Sequence, residues 1–516
     1  MNTKQYKKNL VPSIVSAFFL SVTFACTSGN EITTDIPEEN VAKYDSTYNA
    51  AYNLYVVSDD TTAYDLSRYS SQFTDTERQI GQALNEYAAK MLSEYSSSSN
   101  ENTILSPVSA TMLYSMMANF MDEKSKTNVF MESMGIGQME NSDVNSFFGK
   151  FNYMKKQTAQ KEKDGNGFYM NSNMWMEKNN AVYKSFLSTT NYYGIGVKGM
   201  ELNNRSALSE INKAIASQMG SNAAAINNSQ WNNAKPLITN SVAFKNEWKE
   251  KFAIDSAKTN FFVNSDGSRS ACKVLRMLNT VNQARYSDFF IMEIPYKDES
   301  YSMFVIVPHN VNGLSKSISA LYRQGVARTM DWVSNTSRTY HGEYLINRDT
   351  VVYGKKYTVV DTLISDTIFD IRIPKVKINT STTLNSQDEA IAPMYKTNLP
   401  KVSPRGFVLG DVIQACSFEI DENSTSATGD GVVEKEEIEN TVEKMSFSTS
   451  SAELTFSAVD LMDLEKEELE SEPIGKVIEE IIVVPLHAAH PFAIFIRDNN
   501  TGTISFACSI KNLSGK

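Results

Sequence analysis

The chain has 516 residues, 41% of them hydrophobic and 10% aromatic, with a formal net charge of −11. That apolar content excludes a disordered polymer, and the acidic balance argues against nucleic-acid binding, which needs clustered Lys and Arg. The cysteines (Cys26, Cys272, Cys416, Cys508) and histidines (His309, His341, His487, His490) make neither a disulfide framework nor a zinc pattern.

In chain order, Lys4, Lys7 and Lys8 form a positive segment before a short apolar run, Ile14 to Phe24, too short to span a bilayer. Ala25-Cys26 follows, the arrangement of a bacterial lipoprotein signal. The expectation is a signal peptide over 1–25, a lipid on Cys26 as mature N-terminus, and an outer-membrane or cell-surface lipoprotein; plain secretion is the alternative. The lipid would be the chain's only link to a membrane. Residues 26–72, rich in Thr, Ser, Asp and Asn, read as a tether.

Thr74 to Glu77 has capping-box spacing. Ile80, Leu84, Tyr87, Ala88, Met91, Leu92 and Tyr95 then recur at helical intervals up to the serines at 96–99. Residues 206–219 read as a helix. Residues 237–244, Phe289 to Tyr296 and Ser302 to Val307 read as strands. Ile371, Ile373, Val376 and Ile378 nearly alternate around Pro374. Ile504, Phe506, Cys508 and Ile510 alternate with small residues, which predicts a half-buried strand. Helices come mostly early and strands late, so an α+β fold is expected over 73–516.

Two stretches stand apart. Residues 333–367 are polar and read as an inserted hairpin. Residues 419–480 carry nineteen acidic side chains against four basic ones, a self-repelling, solvated block. His487 and His490 lie three apart, but their flanks read as strand, where such residues face opposite sides, so no metal site is expected.

Five segments, in order, resemble the serpin family of protease inhibitors: Asn102 to Ser109 with Ser106-Pro107; Asn240 to Trp248 followed by Phe252, Thr259 and Phe262; Met292 to Lys297; Phe369 to Ile378; and His490 to Asp498 with Thr501-Gly502. The resemblance implies a large, mostly antiparallel central sheet with further sheets, about eight to nine helices and an exposed reactive loop. It implies a monomer that needs no cofactor and no catalytic residue of its own. A target serine or cysteine protease would cut the loop, which then inserts as a new strand into the central sheet. Asn240, Trp248, Ser106 and Pro107 would be structural positions of that sheet and its entrance.

By that resemblance the loop region covers 422–482. Its hinge would contain Glu422, Ser424, Thr425, Ala427, Gly429 and Gly431, where Ser424 departs from the family's usual glycine. With Thr425 inward, strand alternation also turns Ala427, Gly429, Gly431 and Val433 inward, all small or apolar. The family's spacing from Glu422 places the scissile bond at Ile438-Glu439. The alternative is a non-inhibitory surface binding module that uses the long acidic loop as its contact.

Overall fold

The computed structural model describes residues 54–56, 72–121, 131–161, 167–219, 236–255, 260–336, 341–352, 354–384, 398–408, 412–427 and 476–513. The helices are α1 (Asp75–Ser97), α2 (Pro107–Ala118), α3 (Asn141–Lys161), α4 (Lys184–Tyr192), α5 (Ala207–Met219), α6 (Leu314–Gln324) and α7 (Val326–Ser334). Among the described residues these are seven α-helices.

The early strands are β1 (Leu54–Val56), β2 (Thr103–Leu105), β3 (Gly167–Glu177), β4 (Ala181–Tyr183), β5 (Ile195–Met200) and β6 (Leu237–Glu247). The middle holds β7 (Ala253–Ile254), β8 (Asn260–Val263), β9 (Arg269–Cys272), β10 (Val274–Asn279), β11 (Gln283–Arg285), β12 (Phe289–Pro295) and β13 (Tyr301–Pro308). Next come β14 (His341–Val352), β15 (Lys355–Pro374), β16 (Val376–Thr383) and β17 (Val412–Ile420). The last are β18 (Ser424–Ala427), β19 (Val477–His487), β20 (Phe492–Asp498) and β21 (Ile504–Ile510).

Three sheets organise the molecule. The main sheet runs β16-β17-β18-β6-β3-β5; the inner sheet runs β11-β12-β13-β20-β21-β2. The outer sheet runs β14-β15-β10-β7, with β19 parallel to β15. The α+β architecture agrees with the reading of the sequence.

Helix α1 starts where its capping box requires. The Thr74 hydroxyl accepts from the Glu77 amide at 3.2 Å, and the Glu77 carboxylate accepts from the Thr74 amide at 2.7 Å. Its apolar stripe (Ala88, Ala89, Leu92) packs with α6 and α7 on one face of the inner sheet. The other face of that sheet meets the main sheet through Phe244, Phe290, Ile294 and Phe506.

This two-sided cover corrects the expectation for the closing strand. β21 is buried along its whole length, including Ser505 and Ser509, because small hydroxyl residues fit beneath a covering layer. The expected tether also contributes structure: Leu54–Val56 pairs antiparallel with Ala181–Tyr183. The 333–367 hairpin is present as β14 and the first part of β15, but it begins after α7, which ends at Ser334. Cys416 and Cys508 are buried, Cys272 is half-buried, and all three are free thiols.

Candidate functional site

The site lies where β6 and β17 part. Lower in the main sheet the two strands pair directly and in parallel, from Val412↔Ile238 to Ala415↔Ser241. Higher up β18 lies between them, antiparallel to both, with Thr425 opposite Ile420 on one side and Asn246 on the other. Residues 424–427 are therefore a strand of the main sheet, held between β6 and β17.

A tight turn makes this possible. One Asp421 carboxylate oxygen accepts from the Asn423 amide (2.8 Å), the Ser424 amide (2.7 Å) and the Ser424 hydroxyl (3.2 Å). The Asp421 amide donates to the Ser424 carbonyl at 3.0 Å, closing the hairpin. Glu422, at the tip, accepts from Lys375 at 2.9 Å, and that bond holds its carboxyl below the usual range against the opposing effect of burial.

Trp248 clamps the turn. Its indole donates to the Asp421 carbonyl and its amide to the Asn423 carbonyl, both at 3.0 Å. The Phe252 amide donates to the Glu422 carbonyl at 3.0 Å. Beneath, the wholly buried Thr425 lies close to the phenol of Tyr296, which burial pushes to a higher pKa.

Asn240, Ser106 and Pro107 sit in a second cluster, at the lower place where β6 and β17 touch. Gln414 of β17 accepts from the Ser106 amide at 2.7 Å and donates to the Ser106 carbonyl at 3.2 Å and the Ser109 hydroxyl at 2.9 Å. Ser106 itself donates to the Ser505 carbonyl at 2.8 Å, and Pro107 is the first residue of α2. Asn240 pairs with Gln414 across the strands, and its Nδ2 is buried without a partner.

The structure thus brings Trp248, Glu422, Ser424 and Thr425 together and sets Asn240, Ser106 and Pro107 apart from them. Ala427 ends β18. Gly429, Gly431, Ile438, Glu439 and Cys26 lie outside the described residues. Among the described residues no group of three or more His, Cys, Asp or Glu could hold a metal ion.

Residues 82–345 match the family model described as Serpin (serine protease inhibitor). The chain belongs to the serpin family. The matched span is just over half of the molecule and includes β6, Trp248 and the inner-sheet strands β12 and β13.

Among relatives, this serpin is 29% identical to human Serpin B4 over 105 residues, 20% of this chain and 26% of that protein. It is 22% identical to an uncharacterized serpin-like protein of Methanosarcina mazei over 276 residues, covering 52% of this chain and 48% of that one. Human Serpin B3 is 22% identical over 281 residues, 53% of this chain and 55% of that protein. The chain spans about half, or less, of the curated relatives it matches.

Sequence reasoning missed Asp421 and Gln414 as parts of this serpin's site. Asp421 had a signal, an Asp two and three residues before Asn423 and Ser424, the spacing of a side chain capping its own turn. Gln414 had a fainter one, a polar residue in the inward series Val412, Gln414, Cys416, Phe418, Ile420.

Proposed function

We propose that this serpin traps a serine or cysteine protease: the protease cuts the exposed loop, and the cut loop completes its entry into the main sheet as a new central strand. The observation that carries the reading is β18. Four residues of the hinge already occupy the gap between β6 and β17, with Thr425 inside.

Continued without slip, the β18 register would set Ala427 between Phe244 and Phe418, Gly429 between Val242 and Cys416, and Gly431 between Asn240 and Gln414. All six neighbours are buried. Side chains at these points must be small or apolar, because a larger polar group would be desolvated without a partner. A glycine at the Asn240–Gln414 contact suits it best, since it adds a backbone and no side chain where two buried strands pair directly. Entry there also offers backbone groups to the orphaned Asn240 amide.

The chemistry needs nothing from this chain beyond a peptide bond to be attacked. The protease supplies the nucleophile, and strand insertion competes with hydrolysis of the acyl-enzyme. The start of the chain fits an exported protein anchored by a lipid on Cys26.

The test is incubation with a panel of serine and cysteine proteases. An SDS-stable complex at the summed mass supports the trap. Cleavage at the loop without any stable complex, and without a rise in thermal stability of the cut protein, rejects it in favour of a binding module.

A further inference from the structure

The upper end of β6 is docked on the turn that joins β12 to β13. Phe244 and Asn246 of β6 face that turn, Thr425 of β18 lies beside them, and all three are buried. Phe244 packs edge-on against Tyr296 and Tyr301, with ring centroids 5.2 and 5.1 Å apart. The Asn246 side-chain amide donates to the Asp298 carboxylate at 3.0 Å. The same carboxylate oxygen accepts from the Ser300 amide at 3.2 Å, which fixes the acceptor within its own turn. Glu247 adds an ion pair with Lys297 at 3.0 Å, and its carbonyl accepts from the Lys297 amide at 2.9 Å.

These contacts coincide with the part of β6 that stands apart from β17. From Phe244 to Glu247 the neighbour of β6 is β18; from Ile238 to Ser241 it is β17. For β6 to lie beside β17 along its whole length, its upper end would have to move by about one strand spacing, 4.8 Å. A hydrogen bond of ordinary length does not survive a displacement of that size. We infer that Asn246 is a positioning residue for the loop: its bond to Asp298 pins the upper end of β6 to the β12–β13 turn and keeps open the gap that β18 fills. The consequence for trapping rests on the function proposed above. A gap held open lets the cut loop run on from Ala427 without first re-forming its entrance.

Among the contacts at this end of β6, the one at Asn246 is the directional one that water screens least. The Glu247–Lys297 pair is exposed, and such pairs contribute little. The ring contacts of Phe244 are apolar and set no fixed direction. The Asn246 bond has a charged acceptor, which places it in the stronger class, and its donor sits on a residue only 1% exposed. Thr425 lies directly across from Asn246, so yielding at this point is felt first in β18.

Native-state hydrogen exchange of the purified full chain, read on residues 424–427, tests the positioning role without any protease, because exchange reports local opening. Asn246→Ala should speed exchange there by about tenfold. Asn246→Asp alone sets two carboxylates together and should be faster still. Adding Asp298→Asn to Asn246→Asp reverses donor and acceptor, and should recover most of the protection. With a protease that the wild type traps, Asn246→Ala should be cut at the wild-type rate but shift by about tenfold from complex toward cleaved product. A residue that merely supported the fold would lower the unfolding temperature and leave that ratio alone. Wild-type exchange at 424–427 in Asn246→Ala, a swapped pair that exchanges no slower than Asn246→Asp, or an unaltered ratio overturns the inference. A wild type that traps no protease removes the proposed function instead, and the exchange rates alone then decide the role of Asn246.

Discussion

The indole of Trp248 lies flat on the ring of Tyr296, with centroids 4.8 Å apart and planes 9° apart. Both residues are wholly buried, and an isolated β-bridge joins their backbones at the upper end of β6. The stack is the floor on which the Asp421–Ser424 turn rests, because the same indole donates to the Asp421 carbonyl.

Trp248→Phe should therefore keep the fold but loosen the turn. The variant loses one hydrogen bond, worth about 1 kcal/mol, and leaves a partly unfilled space, so a total loss of about 2–3 kcal/mol is expected. Thermal unfolding measures the loss. Limited proteolysis should show the chain around Glu422 cut faster than in wild type, and an unchanged rate there would mean the indole does not hold the turn.

Thr425→Arg tests the entrance itself. Thr425 has no exposed surface, and its neighbours across the strands are Ile420 and the buried Asn246. A guanidinium forced into that position has no carboxylate to meet, at a cost of several kcal/mol. The strand should stay out, leaving a loop that proteases cut without being trapped. Retention of full complex formation would show that insertion does not pass through this register.

Much of this geometry was legible in the sequence, for reasons that differ by element. Helix α1 was readable because the Thr74–Glu77 box and the stripe from Ile80 to Tyr95 agree on one boundary and one face. Thr425, which the sequence reading took as inward-facing, is wholly buried, and the positions that alternation placed beside it from Gly429 on lie outside the described residues. The same alternation misjudged β21: Ser505 and Ser509 look like a solvent face, yet a second covering layer buries them, and a strand cannot report what lies above it. Leu54-Tyr55-Val56 is too short a run to announce β1. That β18 lies between β6 and β17 was not readable either, since it depends on strands far apart in the sequence.

The root of β19 should loosen in acid. Burial alone would raise the Asp370 carboxyl, but Arg276 and Arg372 hold it down to about 2. His487, 3.6 Å from Asp370, has its pKa lowered, first by burial and then by Arg372. Both groups bind fewer protons when folded than when unfolded, so each makes stability rise with pH. The Asp370 contribution is complete above about pH 4, the unfolded carboxylate value, and is lost as pH falls toward about 2. The His487 penalty begins as pH drops below about 6.5. Replacing His487 with Gln should flatten the unfolding temperature between about pH 5 and 7 and leave the steeper acid limb in place. Calorimetry across that range decides it, and an unaltered slope in the upper window would exclude His487 as the source.

If the loop inserts as proposed, the length of the sheet sets where its scissile bond should lie. β18 starts with Ser424 opposite Glu247, the last residue of β6. The same register, carried down the sheet, would bring Glu434 opposite Leu237, the first residue of β6. That run of eleven residues matches the eleven of β6 and spans about 36 Å at 3.3 Å per residue. A protease attached at Ile438 would lie about four residues, or 13 Å, beyond the end of the strand, close enough to be pressed against the lower end of the sheet. Attached at Lys444, it would have about 20 Å more slack and could relax and hydrolyse the ester. Length on the far side of the bond does not enter this pull, so the acidic stretch between the cut and Val477 can be long without weakening the trap. Productive cleavage is therefore expected within Glu436 to Asn440, most readily after Ile438, by a protease with elastase-like or glutamyl specificity rather than a tryptic one. Sequencing the peptide released from a trapped complex gives the answer directly. A new N-terminus between Glu437 and Thr441 agrees with the length argument, and one at Met445 or later refutes it.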